Sequence, residues 1–243
     1  MGTNRIAHWR TAKGENTMIV ELGYPIFAGM PVYPGLPQVE VTPRERIQNG
    51  DPWNGSNLSI YLHAGTHADA PWHYLDDAFG IDQIPAENFI YNHPLLVSPD
   101  CGPGSLISVQ DLQAAGDDLY EADALFFNTG YWRYRKSDFL YYGTNFPTLS
   151  PEAAVFIQEK LPKVKAVAID TLSIENLAQG NSNGYQTHRT LLNPEPGTNR
   201  TIVILEDYNP EPVIGRAMKF AVATPLRIQG RDATPINIFA GIS

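Results

Sequence analysis

His63-Ala64-Gly65-Thr66-His67-Ala68-Asp69-Ala70-Pro71-Trp72-His73 carries three of the chain's six histidines within eleven residues. Its polar positions, His63, His67, Asp69 and His73, are all odd-numbered. Side chains of an extended chain alternate between two faces, so these four share one. A helix would split them, pairing His63 with His67 and Asp69 with His73 on separate faces, and Gly65 and Pro71 disfavour helix. The pattern predicts the end of a strand running into an extended loop, with Gly65 bending the backbone so that the imidazoles converge.

Imidazole nitrogen and carboxylate oxygen are the donors that suit zinc, manganese or iron(II). No cysteine lies nearby, which excludes a structural zinc site of thiolate type. A lone histidine is more often a core residue bonded to backbone. Three on one face sharing an aspartate point instead to a cation, with His63, His67 and Asp69 as its ligands. A cation there offers hydrolysis of an amide-like or ester-like carbonyl without an activated serine or cysteine. An unperturbed imidazole titrates near neutrality, which makes His73 the expected general base or proton shuttle. Its competing role is a further ligand.

The rest of the chain supplies the frame. Its 243 residues are 43% hydrophobic and 18% charged, enough for one large domain. No run of about 18 apolar residues marks a membrane helix. Residues 1–17 lack the apolar core of a signal peptide and read as an arm that is disordered or docks on a neighbour. Residues 18–243 read as a single domain. A net charge of −9 argues against nucleic acid. The single cysteine, Cys101, fits a reducing cytoplasm and sits in a turn-rich Pro-Asp-Cys-Gly-Pro setting. A passive loop thiol is expected there. No Gly-x-Ser-x-Gly elbow and no phosphate-binding glycine loop occurs.

Strands are expected at 18–22, 39–41, 58–62 (buried), 94–97, 122–128, 164–170, 201–206, 220–226 and 228–238. Ser108 and Ser150-Pro151-Glu152 read as helix starts. The stretch 176–189 is polar and Gly-containing and reads as a loop delivering His188. Strand-helix-strand order around 122–170 predicts a parallel crossover and an α/β fold. Glu175, His93 and His8 show no constellation and read as structural or surface residues.

The 63–73 segment resembles the signature of the cyclase family of metal-dependent hydrolases, His-x-Gly-Thr-His-x-Asp-x-Pro-x-His, at every fixed position. That family includes kynurenine formamidases and isatin hydrolases. Pro25-Ile26 through Pro34-Gly35, Thr129-Gly130-Tyr131, Thr148 to Ala153, Ile169-Asp170-Thr171-Leu172-Ser173, His188 before Leu191-Leu192, and Glu206 before Asn209 extend the likeness over about residues 18–243. It implies a swivelling β/β/α sandwich with a mixed sheet. It also implies a second ion, bridged by Asp69 and held by His188 and Glu206, with two zinc ions or a single manganese as the alternatives. Glu206 is then a ligand, a proton donor to the leaving group, or both. Tyr33, with Pro34, is implied as a pocket wall. Trp72, Trp53 and Tyr131 are aromatic candidates for contact with a planar substrate. The expected reaction is hydrolysis of a carbon–nitrogen bond in a small aromatic amide. Opening of a cyclic amide or lactone is the alternative, and a non-catalytic binding protein the reading from another class. A homodimer or homotetramer is expected.

Overall fold

The computed structural model describes residues 7–10, 16–195 and 200–243. The strands are β1 Ala7–Arg10, β2 Asn16–Glu21, β3 Glu40–Glu45, β4 Gly55–Ser59, β5 His67–Asp69, β6 Ile90–Tyr91, β7 Pro94–Val97, β8 Leu106–Ile107, β9 Ala124–Phe127, β10 Thr148–Leu149, β11 Ala166–Ile169, β12 Val203–Glu206, β13 Met218–Pro225 and β14 Ala233–Ile242. The helices are α1 Val109–Gln113, α2 Asp118–Glu121, α3 Tyr134–Ser137, α4 Phe139–Thr144, α5 Pro151–Lys160, α6 Leu177–Asn183 and α7 Gln186–Leu192.

One mixed sheet runs β1-β2-β14-β5-β12-β11-β9-β7, and β13 pairs with β14 and β6. β7, β9, β11 and β12 are parallel, as the crossover reading requires. β5 is antiparallel to both of its neighbours, β12 and β14. β14 serves two layers. Ala233–Pro235 pair with β5, whereas Ile236–Ile242 pair with β13.

The alternation of strand side chains sets one large cluster on each face of the central strands, the two largest of the core. Leu125, Phe127, Val167, Ile169 and Ile204 pack with Leu112, Ala153, Ala154, Ile157 and Leu191 of the helices. Ala124, Phe126, Ala166, Ala168 and Leu205 face β2, β13 and β14. The second interface is rich in alanine, with Ala68, Ala70, Ala221, Ala223 and Ala240 joining it. Small side chains let two β layers approach closely, and the result is the β/β/α arrangement expected of a mixed α/β fold.

Local chemistry sets the helix starts. Ser108 caps α1 in a reciprocal box with Asp111, and Ser150 accepts from Ala153 N–H ahead of Pro151. Three readings change. Residues 176–189 hold α6 and α7 rather than a loop, with Asn176 capping α6 through Gln179 N–H. The strand expected at 58–62 spans Gly55–Ser59 and is exposed, in a two-stranded ribbon with β3. The last strand starts at Ala233, later than expected. Within the segment expected to be an arm, Ala7–Arg10 pairs with β2, and residues 1–6 and 11–15 lie outside the described residues. Among the described residues no helix is long and apolar enough to cross a membrane.

Candidate metal centre

β5 places His67 and Asp69 on one face, as its period of two demands. Register sets His67 opposite Glu206 at the carboxyl end of β12. His63 and His73 arrive differently from the single extended run expected. His63 sits in a turn closed by Gly65 at φ 73°, where an added Cβ would also lie 2.6 Å from Met30 Cε. His73 ends a 3-10 turn opened by Pro71. Two bends, not one strand face, bring the imidazoles together. His188 comes from α7, and its ring stacks on Tyr74 at 4.4 Å.

The far nitrogen of each of three imidazoles is held by an acceptor. His63 Nε2 lies 2.7 Å from Asp232, His67 Nδ1 2.8 Å from Gly65 O, and His188 Nδ1 3.0 Å from Glu175. The near nitrogens converge on carboxylates. His63 Nδ1 is 2.9 Å and His67 Nε2 3.3 Å from Asp69 Oδ1, His67 Nε2 is 3.3 Å from Glu206 Oε2, and His188 Nε2 is 3.5 Å from Glu206 Oε1. Yet His67 Nε2 and both Asp69 oxygens are buried with no aligned hydrogen-bond partner. Buried polar atoms are rarely left so. Close, unaligned donors are what atoms aimed at a shared point between them look like. His63, His67 and Asp69 form one group of suitable spacing, and Asp69, His188 and Glu206 another. Two nitrogens and shared carboxylates match a zinc or manganese donor set, and the orienting acceptors match what metal-binding histidines need. The residues therefore fit a divalent ion, and Asp69 is common to both groups.

Glu206 is oriented by Ile174 N–H at 2.6 Å and Ser173 Oγ at 3.1 Å, both on Oε1. Burial pulls the His188 pKa down, but its bonds to Glu175 and Glu206 outweigh that and push it up to about 9. Burial likewise opposes charge on His67, and Asp69 and Glu206 raise it well above its ordinary value. A cation must displace protons from these rings. Binding is expected to release protons at pH 7 and to tighten as pH rises toward 9. Titration calorimetry in buffers of differing ionisation enthalpy checks this, and buffer-independent heats would contradict it.

A cavity of about 170 Å³ opens over these groups, walled by Tyr33, Tyr61, Tyr74, Leu172, Leu177 and Tyr185. Among the described residues, no lysine or arginine lines it. Tyr33 is thus at the cavity, as the resemblance implied. Trp72 and Tyr131 are not. Residues of a 3-10 turn point about 120° apart, so Trp72 is 39% exposed and turned from the cavity while His73 faces it. Tyr131 follows Gly130 at φ 83° and packs behind the wall with Tyr142, Phe146 and Leu172. Trp53 is exposed. Glu175, read from sequence as structural or surface, is buried against His188. Asp232 and Glu175 were missed because each acts only through a histidine. The histidines' own need for acceptors was the one signal that could have prompted a search.

A family model described as a putative cyclase matches residues 20–176. The chain belongs to the cyclase family. Cyclase-family relatives cover nearly its whole length. A kynurenine formamidase of Bordetella petrii is 26% identical over 217 residues, 89% of this chain and 94% of that protein. A solved structure described as a potential metal-dependent hydrolase with cyclase activity has 26% identity and a TM-score of 0.71, covering 93% of this chain and 98% of that one. Isatin hydrolase A from Labrenzia aggregata gives a TM-score of 0.75 over 93% and 94% of the two chains. At 20% identity it speaks for the fold.

Cys101 stands apart from this centre, half-buried, and burial pushes its thiol up to about 11. Its thiolate is scarce at neutral pH. Cys101→Ser is expected to leave turnover unchanged, and alkylation of the native thiol to be slow at pH 7. Rapid loss of activity with iodoacetamide would contradict this.

Proposed function

We propose that the protein is a metal-dependent hydrolase that cleaves an amide-like carbon–nitrogen bond of a small, planar substrate. The carrying observation is the set of buried, unaligned donor atoms on His67, which lines a tyrosine-walled cavity, and on Asp69 beside it. His63, His67 and Asp69 would hold one divalent ion, zinc or manganese, and Asp69, His188 and Glu206 a second. Such an ion lowers the pKa of water and polarises the substrate carbonyl.

The chain's own groups do the rest. His73 reaches the cavity from the side of His63, ring centroids 4.1 Å apart, and takes the proton from the attacking water. Its second task is to return that proton to the leaving nitrogen. Glu206 acts as a ligand, because two donors on Oε1 favour its ionised form. The phenols of Tyr33, Tyr61 and Tyr74 are pushed up by burial, so they stay neutral and keep a proton available for a hydrogen bond to substrate. Tyr74 screens His188 from solvent by stacking on it.

The names of the relatives support arylformamidase chemistry. The lack of a lysine or arginine in the cavity wall, among the described residues, supports the alternative, a neutral ring opened at a cyclic amide or lactone. The exposed ribbon of β3 and β4 supports the expected homo-oligomer, since a lone two-stranded ribbon is marginal in water.

The test is metal content beside hydrolysis of N-formylkynurenine, a neutral formanilide and isatin, with His73→Ala as the control. Loss of kcat by about 10²–10⁴-fold with metal retained fits a base. Loss of the metal would make His73 a ligand. Absence of turnover on all three substrates by the metal-loaded protein would sink the hydrolase reading.

A further inference from the structure

Asp232 immediately precedes β14, and nothing beside it in the chain marks it: it lies 169 residues from His63. Its backbone is fastened to the signature segment, since Asp232 O accepts Ala70 N–H at 2.8 Å and Ala233 pairs with Asp69. The neighbouring Arg231 is held as well, its carbonyl accepting Ile81 N–H at 2.8 Å. The side chain is therefore delivered from a rigid stretch.

One oxygen of that side chain serves two imidazoles. Asp232 Oδ2 is 2.7 Å from His63 Nε2 and 3.6 Å from His73 Nδ1. The His63 contact meets hydrogen-bond geometry, unlike the unaligned atoms of Asp69 and His67. His63, His73 and Asp232 are also spaced as a metal-holding group, but the aligned 2.7 Å contact places a proton between Asp232 and His63, which favours Asp232 as a partner of the ring. A neutral imidazole has one N–H, and placing it on Nε2 leaves the Nδ1 lone pair facing Asp69.

We propose that Asp232 is a positioning residue shared by His63 and His73: it sets the His63 tautomer for the cation and anchors His73 at the cavity. This rests on the reading of His63, His67 and Asp69 as a cation site. The two histidines flank a single oxygen, bonded to His63 and 3.6 Å from His73, with their rings 4.1 Å apart and inclined at 36°. Displacing Asp232 disturbs the ligand and the base together, although it touches neither substrate nor ion.

The side chain is about one-third exposed, so its replacement opens no buried hole. The experiment compares wild type, Asp232→Asn and Asp232→Ala. The zinc Kd of each apoprotein is measured by chelator competition, kcat and KM at saturating zinc, and Tm as a folding control. The expected result is a Kd weakened about 10–100-fold. At saturating zinc, kcat stays at least tenfold down with KM nearly unchanged, and the apoprotein Tm stays within a few degrees of wild type. A merely structural Asp232 would lower Tm and leave Kd alone. An unchanged Kd in both variants overturns the proposal whatever kcat does. Failure of wild-type apoprotein to bind zinc or manganese would instead overturn the cation-site reading beneath it.

Discussion

Asp69→Asn abolishes metal loading and lowers turnover by about 10³-fold or more, since a bound cation supplies several kcal/mol of transition-state stabilisation. The argument is one of position. Asp69 is fully buried, both of its oxygens lack aligned partners, and it belongs to both donor groups. An amide of the same shape keeps one acceptor oxygen and loses the negative charge common to both donor groups. Burial opposes that charge, but His73 and His63 more than offset it and hold the carboxyl well below its usual range. In the apoprotein the substitution relieves repulsion of Glu206 but loses the pairing with His63 and His67, so the metal-free Tm of each protein is the reference. Metal-linked stabilisation separates the two states. Zinc at about 1,000 times its Kd adds about 4 kcal/mol to wild type, a rise of roughly 8–16 °C for a chain of this size. Asp69→Asn should show no such rise, by calorimetry with and without metal. A variant that still binds zinc and turns over would remove Asp69 from the centre.

Arg135→Met is the second large effect, and it acts on stability. Arg135 is 3% exposed and grips Asp207 through two bonds of 2.7 Å. Tyr24 lies under the guanidinium at 3.8 Å, and Tyr142 Oη donates to Asp207 at 2.6 Å. Asp207 itself sits at φ 53°, with its N–H on Thr171 O and its carbonyl accepting from Thr66 Oγ1 at 2.7 Å. Thr66 precedes His67, and Asp207 follows Glu206. The cluster thus buttresses two candidate ligands from behind. Removing the cation leaves a buried carboxylate uncompensated, at a cost of about 3–5 kcal/mol, or a Tm lower by roughly 6–20 °C. Lysine should not rescue, since it lacks the planar fork. Adding Asp207→Asn to Arg135→Met should recover part of the loss, because asparagine tolerates the left-handed backbone and no charge remains stranded. Thermal melts of the three variants decide this, and a single mutant within 1 °C of wild type would contradict it.

Much of the centre could be read from sequence because its signature is contiguous. His67 and Asp69 needed only the two-residue period, and Gly65 its known tolerance of positive φ. The parallel crossover was visible in the caps at Ser108 and Ser150 and in the apolar runs that became β9 and β11. Other parts were hidden for definite reasons. α6 reads Leu-Ala-Gln-Gly-Asn-Ser-Asn, with almost no apolar periodicity, and tertiary packing together with the Asn176 cap decides it. β4 was mistaken for a buried strand because Leu58 looks like core, yet Leu58 is 49% exposed. Trp72 and Tyr131 were named for their aromaticity, and rotation within a turn aimed them elsewhere. Glu175 and Asp232 carry no local mark at all. Glu175 meets His188 across 13 residues and Asp232 meets His63 across 169, and no local spacing rule encodes either contact.

β5 is three residues long and lies between β12 and β14, strands that follow it by most of the chain. A ribosome making this protein therefore releases His63 to His73 long before either flanking strand exists. Until Glu206 has emerged, the segment has neither of the strands that flank it in the finished sheet. Contacts this distant form slowly. A cation that meets the half-made chain finds flexible ligands without their carboxylate partners, and affinity then follows the intrinsic order that favours copper over zinc and manganese. Only the finished domain brings His188, Glu206 and Asp232 to this segment, so the complete candidate donor set is a property of completed synthesis and not of the signature alone.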